Sequence, residues 1–287
     1  MMECLVDCRN TLGEGCIWDP RDECVYWTDI EECRIFRWDG KTDPTVFSLP
    51  ERAAFLLPRA RDGFVVGFSD RIVVTSGDFS SFKTIATVEE DLPQTRVNDA
   101  VVDPEGGIVF GTFDERDRLP AASVYRLSPE GVLERLFGDV TISNGLAFSP
   151  DGAIMYFADT VIGTIHRFAV QPGKFSLSEI APLASAAIAP GQPDGAVVDA
   201  EGNYWSARVW GSCVACISPD GELIEQITLP VKGPTCLVLG GTGLRGLFVT
   251  TLRTRHTPAE IAAAPQAGGL FAVEVSIVGC NPRLCAI

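Results

Sequence analysis

Six positions in this 287-residue chain stand five residues ahead of a tight turn, and most carry a side chain able to hold an ion or a polar ligand. They are Glu14, Phe55, Asn98, Asn144, Asp194 and Thr235, counted back from turn anchors at Asp19, Ala60, Asp103, Ser149, Asp199 and Gly240. One Asn or Asp ahead of a turn is an ordinary turn former. Four amides or carboxylates at one offset need another reason. Convergent Glu, Asp and Asn oxygens suit a hard cation such as Ca²⁺, Mg²⁺ or Mn²⁺. Zinc is less natural without His or Cys ligands. Carboxylates brought to one point would also repel and raise one another's pKa, and a divalent ion cancels that repulsion.

Residues nearly 200 apart in sequence meet only if the fold brings equivalent positions together. The anchors lie roughly 40–50 residues apart and define six copies of one unit. The clearest are "LGEGCIWDPRDECVYWTDI" (12–30), "VNDAVVDPEGGIVFGTF" (97–113), "SNGLAFSPDGAIMYFADT" (143–160) and "PDGAVVDAEGNYWSARVWG" (193–211), with weaker copies at 52–70 and 233–251. Each reads as an apolar strand, a turn with Asp, Pro or Gly, and a second strand rich in Val, Phe, Tyr and Trp. Further strands follow, such as "RIFRWDG" and "SVYRLSPEG". Four short strands per unit at this period predict an all-β six-bladed β-propeller, one domain over 1–287, with the metal site in its central channel. "GGLFAVEVSIVG" (268–279) and the N-terminal "MECLVDC" are expected to complete one blade and seal the ring. Only "TPAEIAAAPQ" (257–266) predicts a helix, with Thr257 as N-cap.

Near the axial set, Arg96 lies two residues before Asn98 and shares its face of an extended strand. Asp99 faces the other way unless the strand is bent. Arg208, on the strand after Asp194, is a further candidate cation near the axis. A net charge of −15 argues against nucleic-acid binding and against docking on anionic membranes. The acidic N-terminus lacks a secretory apolar core and no run of about 18 apolar residues exists, so a soluble cytoplasmic protein is expected. Ten cysteines are then expected to be reduced. The lone C-x-x-C pair, Cys213 and Cys216, does not make a zinc cluster. No G-x-S-x-G elbow is present, and His166 and His256 are the only histidines.

"LGEGCIWDP", "RVNDAVVDPEG", "SNGLAFSPDG" and "PDGAVVDAEG" closely resemble four motifs of the senescence-marker-protein/gluconolactonase family, which includes regucalcin. The resemblance runs through nearly the whole chain, to the late "AGGLFAVEV". It implies a six-bladed propeller that binds one divalent cation and hydrolyses sugar lactones. By resemblance the metal ligands map onto Glu14, Asn144 and Asp194, and the substrate-contacting residues onto Arg96 and Asn98. The cation expected first is calcium, with zinc, magnesium or manganese as alternatives. Some members use an acidic residue after a "GT" pair. Here that segment reads "GTFDERDRLP" (111–120), and its acids, Asp114 and Glu115, are not assigned by the motif.

The chemistry fits these residues. A cation polarises the lactone carbonyl and lowers the pKa of bound water. Asp194 is the candidate general base. Arg96 and Asn98, with Arg208 as a further candidate, bind the substrate. The many arginines (Arg96, Arg116, Arg118, Arg208, Arg253, Arg255) suit a lactone with a second acid group, an aldarolactone, beside the default neutral aldonolactone. The alternative is a non-catalytic calcium- or metabolite-binding propeller.

Overall fold

The computed structural model describes residues 2–171, 173 and 175–287. Six antiparallel four-stranded sheets radiate from one axis. Their first strands are Gly13–Asp19, Ala53–Pro58, Thr95–Val102, Ser143–Phe148, Gln192–Val198 and Pro234–Gly240. Each first strand touches the next around a closed ring, so these are the inner strands and the sheets are blades 1 to 6 in chain order. The fold is the six-bladed β-propeller that the repeats predict. The last blade is completed from both chain ends: Leu270–Glu274 pairs with Glu3–Val6, Glu3 opposite Ala272 and Cys4 opposite Phe271. That closure leaves no gap in the ring for a foreign strand.

Sequence chemistry explains the blades. Second strands such as Cys24–Asp29 and Phe64–Phe68 are buried along their whole length, because both faces pack against neighbouring blades. Trp27 and Trp205 fill those interfaces, each giving its indole N–H to a polar partner, Asn10 Oδ1 at 2.9 Å and Asp199 Oδ2 at 2.8 Å. The anchors are turn devices. Asp103 Oδ1 accepts the N–H groups of Glu105 (2.7 Å) and Gly107 (2.9 Å), and Asp199 does the same for Glu201 and Asn203.

Every inner strand carries a bulge just before its turn-proximal half, between Glu14 and Ile17 in blade 1, Val97 and Ala100 in blade 3, Asn144 and Ala147 in blade 4, and Pro193 and Ala196 in blade 5. Blades 2 and 6 repeat it at Ala53/Phe55 and Pro234/Leu237. A bulge bends the strand and re-aims side chains. The axial positions sit at these bends.

One end of the channel is closed. The C-terminal segment crosses the turns of successive blades: Ala200 N–H bonds Val278 O (2.9 Å), Ala286 N–H bonds Gly106 O (2.8 Å) and Cys285 N–H bonds Pro58 O (2.8 Å). Cys280, Asn281, Pro282 and Arg283 thereby floor a cavity of about 170 Å³ whose walls are the inner strands. Access to the axial residues is from the opposite end. The predicted helix is Pro258–Ala263, with Thr257 and Glu260 making a reciprocal capping box. All ten cysteines are free, and no helix of the described residues is long and apolar enough to cross a membrane.

Candidate active site

Glu14, Asn98, Asn144 and Asp194 come together in the channel, with Asp99 beside them in the wall of the floored cavity. Their electrostatics show it. Burial, then the nearby Asp99 carboxylate, push the Glu14 carboxyl up to about 8. Asp194 is raised by burial, then by Glu14 and Asp99. Asp99 itself is pushed up to about 7 by burial, against two backbone N–H bonds from Leu146 and Ala100. The bulge answers the question of direction: it turns Asp99 into the channel, where a regular strand would turn it away.

A hydrogen-bonded rail crosses three blades and sets the amides. Thr160 Oγ1 donates to Pro193 O at 2.9 Å, so it must accept from Asn144 Nδ2 at 2.8 Å. That fixes Asn144 Oδ1 on the other side, where it accepts from Asn98 Nδ2 at 3.0 Å. Asn98 gives its second N–H to Ser143 O (2.9 Å), and its Oδ1 accepts from Arg96 Nη1 (3.0 Å). Asn144 Oδ1 keeps a free lone pair. The rail ends at Pro193, next to Asp194.

Among the described residues no three histidine, cysteine or acidic side chains stand close enough to cage a metal ion. A cation site here therefore needs an amide oxygen, and Asn144 Oδ1 beside the Glu14 and Asp194 carboxylates is such a donor. Among the described residues neither carboxylate is in an ion pair, and Glu14 has only the Gly15 N–H at 3.3 Å. The donor set is all oxygen and carries excess negative charge, which fits a hard divalent cation. The other two axial positions are structural. Phe55 packs its ring against Gly67, where a Cβ would lie 2.3 Å from it. Thr235 Oγ1 bonds Gly13 O, beside Glu14.

Arg96 is 5% exposed and lies over the Phe113 ring, 4.4 Å from its centroid. Its Nε faces Glu115 Oε1 at 3.4 Å, and Arg52 grips the same carboxylate bidentately at 2.7 and 2.9 Å. Those arginines, Arg52 first, hold Glu115 below the usual carboxylate range. Arg96 Nη2 bonds nothing in the protein among the described residues, leaving its two N–H groups for a ligand. Sequence reasoning left Glu115 unassigned. Glu115→Gln is expected to loosen Arg96 and raise KM for the substrate severalfold with little change in kcat, read by steady-state kinetics.

Arg208 is wholly buried and is placed differently from a mouth residue. Its Nη2 donates to the carbonyls of Ala186, Ala189 and Gly191 at 2.9, 2.9 and 2.8 Å, clamping the loop ahead of Asp194. Its Nη1 has no partner among the described residues. Arg116, Arg118, Arg253 and Arg255 make no ion pair among the described residues, in loops at the open end. Cys213 and Cys216 are core residues of blade 5.

Two aspartates missed in the sequence hold the chain that enters the site. Asp29 accepts the N–H groups of Thr11 (3.1 Å) and Leu12 (3.0 Å) ahead of Glu14. Asp159 accepts those of Thr141 (2.7 Å) and Ile142 (3.4 Å) ahead of Asn144. The signal was present as "WTD" and "FAD" at the ends of second strands.

The raised carboxyls give a sign for stability. In chelator, Glu14 and Asp99 bind protons in the folded state at pH values where the unfolded chain has lost them. Stability of the cation-free protein therefore falls as pH rises from about 4 toward about 8. Thermal melts in chelator at pH 5 and pH 8 check this. A higher midpoint at pH 8 would contradict it.

The family described as "SMP-30/Gluconolactonase/LRE-like region" matches residues 12–253. The chain is 37% identical to L-arabinolactonase of Azospirillum brasilense, over 96% of this chain and 92% of that protein. It is 34% identical to 6-deoxy-6-sulfogluconolactonase of Pseudomonas putida, over 99% and 98%. Among solved structures, the calcium-binding protein regucalcin of Agrobacterium tumefaciens superposes with a TM-score of 0.93 at 28% identity, over 99% of this chain and 97% of that one.

Proposed function

The chain belongs to the SMP-30/gluconolactonase/LRE-like family, and from that premise we propose that it is a divalent-cation-dependent sugar lactonase, opening an aldono- or aldarolactone to the sugar acid. The observation that carries this is the oriented Asn144 Oδ1 beside two carboxylates, half-buried Glu14 and buried Asp194, that have no ion pair among the described residues, in a chain over 30% identical to two named lactonases. Glu14, Asn144 and Asp194 hold the cation, calcium first. When bound, it supplies Lewis-acid polarisation of the lactone carbonyl and of water.

The chain's own residues do the rest. Asp194 takes a proton from the attacking water and returns it to the ring oxygen as the ester bond breaks. Arg96, through its open Nη2, grips an oxygen of the substrate, and Glu115 with Phe113 fixes that guanidinium. Asn98 acts mainly by aiming Asn144, because its amide hydrogens are both committed. Arg208 acts through the 186–191 loop, whose carbonyls take up its guanidinium.

The unpaired arginines at the open end favour a lactone that carries a second acid group. The relative named for a sulfo-substituted lactone supports this. Equal kcat/KM on an aldonolactone and the matching aldarolactone would remove that refinement. Likeness to a calcium-binding protein supports the competing reading, a non-catalytic binding propeller. A panel of neutral and acidic sugar lactones, followed by acid release with and without chelator, separates the two. Chelator-sensitive opening supports the lactonase, and no opening of any lactone supports the binder.

A further inference from the structure

Trp210 holds a left-handed backbone, φ +65°, and is 42% exposed. A bulky aromatic residue is strained there, and only surrounding structure keeps it so. That structure is present. A Cβ on Gly211 would lie 2.2 Å from Pro190 O, and one on Gly191 would lie 2.5 Å from Gly211 N, so the two loops touch backbone to backbone. Gly211 N–H bonds Arg208 O at 2.9 Å, while the Arg208 guanidinium holds the facing carbonyls. The indole is therefore fixed on a clamped turn.

Register places that turn at the same end of the propeller as the site. Arg208 pairs with Pro193 and Val209 with Gln192, immediately ahead of Asp194, so Trp210 rises at the open end of blade 5. His256 packs against it, with ring centroids 5.4 Å apart and a 45° tilt. His256 also reaches the open end of blade 6: its Cε1 lies 3.5 Å from where a Cβ on Gly233 would be, one residue before the inner strand. His256 Nδ1 faces Thr254 O at 3.3 Å. Its Nε2 is buried and has no partner among the described residues. Arg253, in the same loop, is in no ion pair among the described residues.

The strained backbone holds the indole at one exposed setting, and the unpartnered ring nitrogen is a cost that a bound ligand would offset. We propose that Trp210 and His256 form a stacking platform for the C–H face of the sugar lactone, on the blade 5–6 side of the mouth across from Arg96 in blade 3. With Nδ1–H donated to Thr254 O, Nε2 is an acceptor that meets a sugar hydroxyl once the ring turns out from its buried setting. An apolar aromatic face with one polar acceptor at its edge suits a polyhydroxylated ring. This assignment rests on the lactonase reading and adds the part of the site that selects ring against open-chain or apolar esters.

The test is Trp210→Gly, Trp210→Phe and His256→Ala in the cation-loaded protein, with steady-state kinetics and thermal melts. Glycine relieves the left-handed strain, so Trp210→Gly is expected to melt no lower than wild type. Its KM for the lactone rises about five- to tenfold, the scale of one aromatic contact, with kcat within about twofold. Trp210→Phe recovers most of the KM, and His256→Ala raises it severalfold. A Trp210→Gly protein with unchanged KM overturns the platform alone. A wild type that opens no sugar lactone overturns the lactonase reading and the platform with it.

Discussion

Asp194→Asn lowers lactone hydrolysis by about 10²–10⁴-fold at neutral pH, the range of a lost general base. The amide keeps the shape and one oxygen, so a cation can still be approached, but no group remains to take the proton from water. Stability moves the other way. Asp194 is raised by burial and by Glu14 and Asp99, so a neutral side chain removes a buried charge from a crowded acid cluster. The cation-free Asn variant is therefore expected to melt at or above wild type. A large loss of rate with no loss of stability separates chemistry from unfolding. Full activity in the variant would end the assignment of Asp194.

The second large effect is on cation binding. Glu14→Gln leaves the Asn144 oxygen and one carboxylate. In wild type, a cation at a hundredfold excess over its Kd stabilises the fold by about 2.7 kcal/mol. For a chain of this size that is several degrees in Tm. In Glu14→Gln the calcium-induced rise shrinks to near zero at the same concentration, and activity falls with it. The wild-type rise grows with pH, because the cation replaces protons that Glu14 and Asp99 otherwise bind below about 8 and about 7. A calcium-induced rise that is equal in both proteins would place the cation elsewhere.

Much of this architecture is written in local patterns. The turn anchors recur because each blade must reverse the chain at the same place, and Asp103 and Asp199 do that with side-chain bonds to the backbone. The offset of five exposes the axial set because an inner strand has nearly one length in every blade. Phe55 and Thr235 show why the offset alone does not make a ligand: one fills core against Gly67 and the other ties blade 6 to blade 1.

What sequence could not carry depends on the third dimension. The bulge that turns Asp99 inward has no signature beyond the glycines at 15, 145 and 195, so simple alternation points that side chain away. Glu115 gains its role from Arg52, 63 residues distant, and from Arg96. Arg208 sits two residues along a strand from the mouth, yet nearby loop carbonyls take up its guanidinium. Trp210 and His256 are 46 residues apart and meet only because blades 5 and 6 adjoin.

The most direct test of the central claim is release of sugar acid from a lactone panel by the purified protein, first in chelator and then after calcium is restored. Opening of at least one aldono- or aldarolactone that chelator abolishes, calcium restores and Asp194→Asn lacks is the predicted result. Opening that proceeds undiminished in chelator, or that survives in Asp194→Asn, would contradict it.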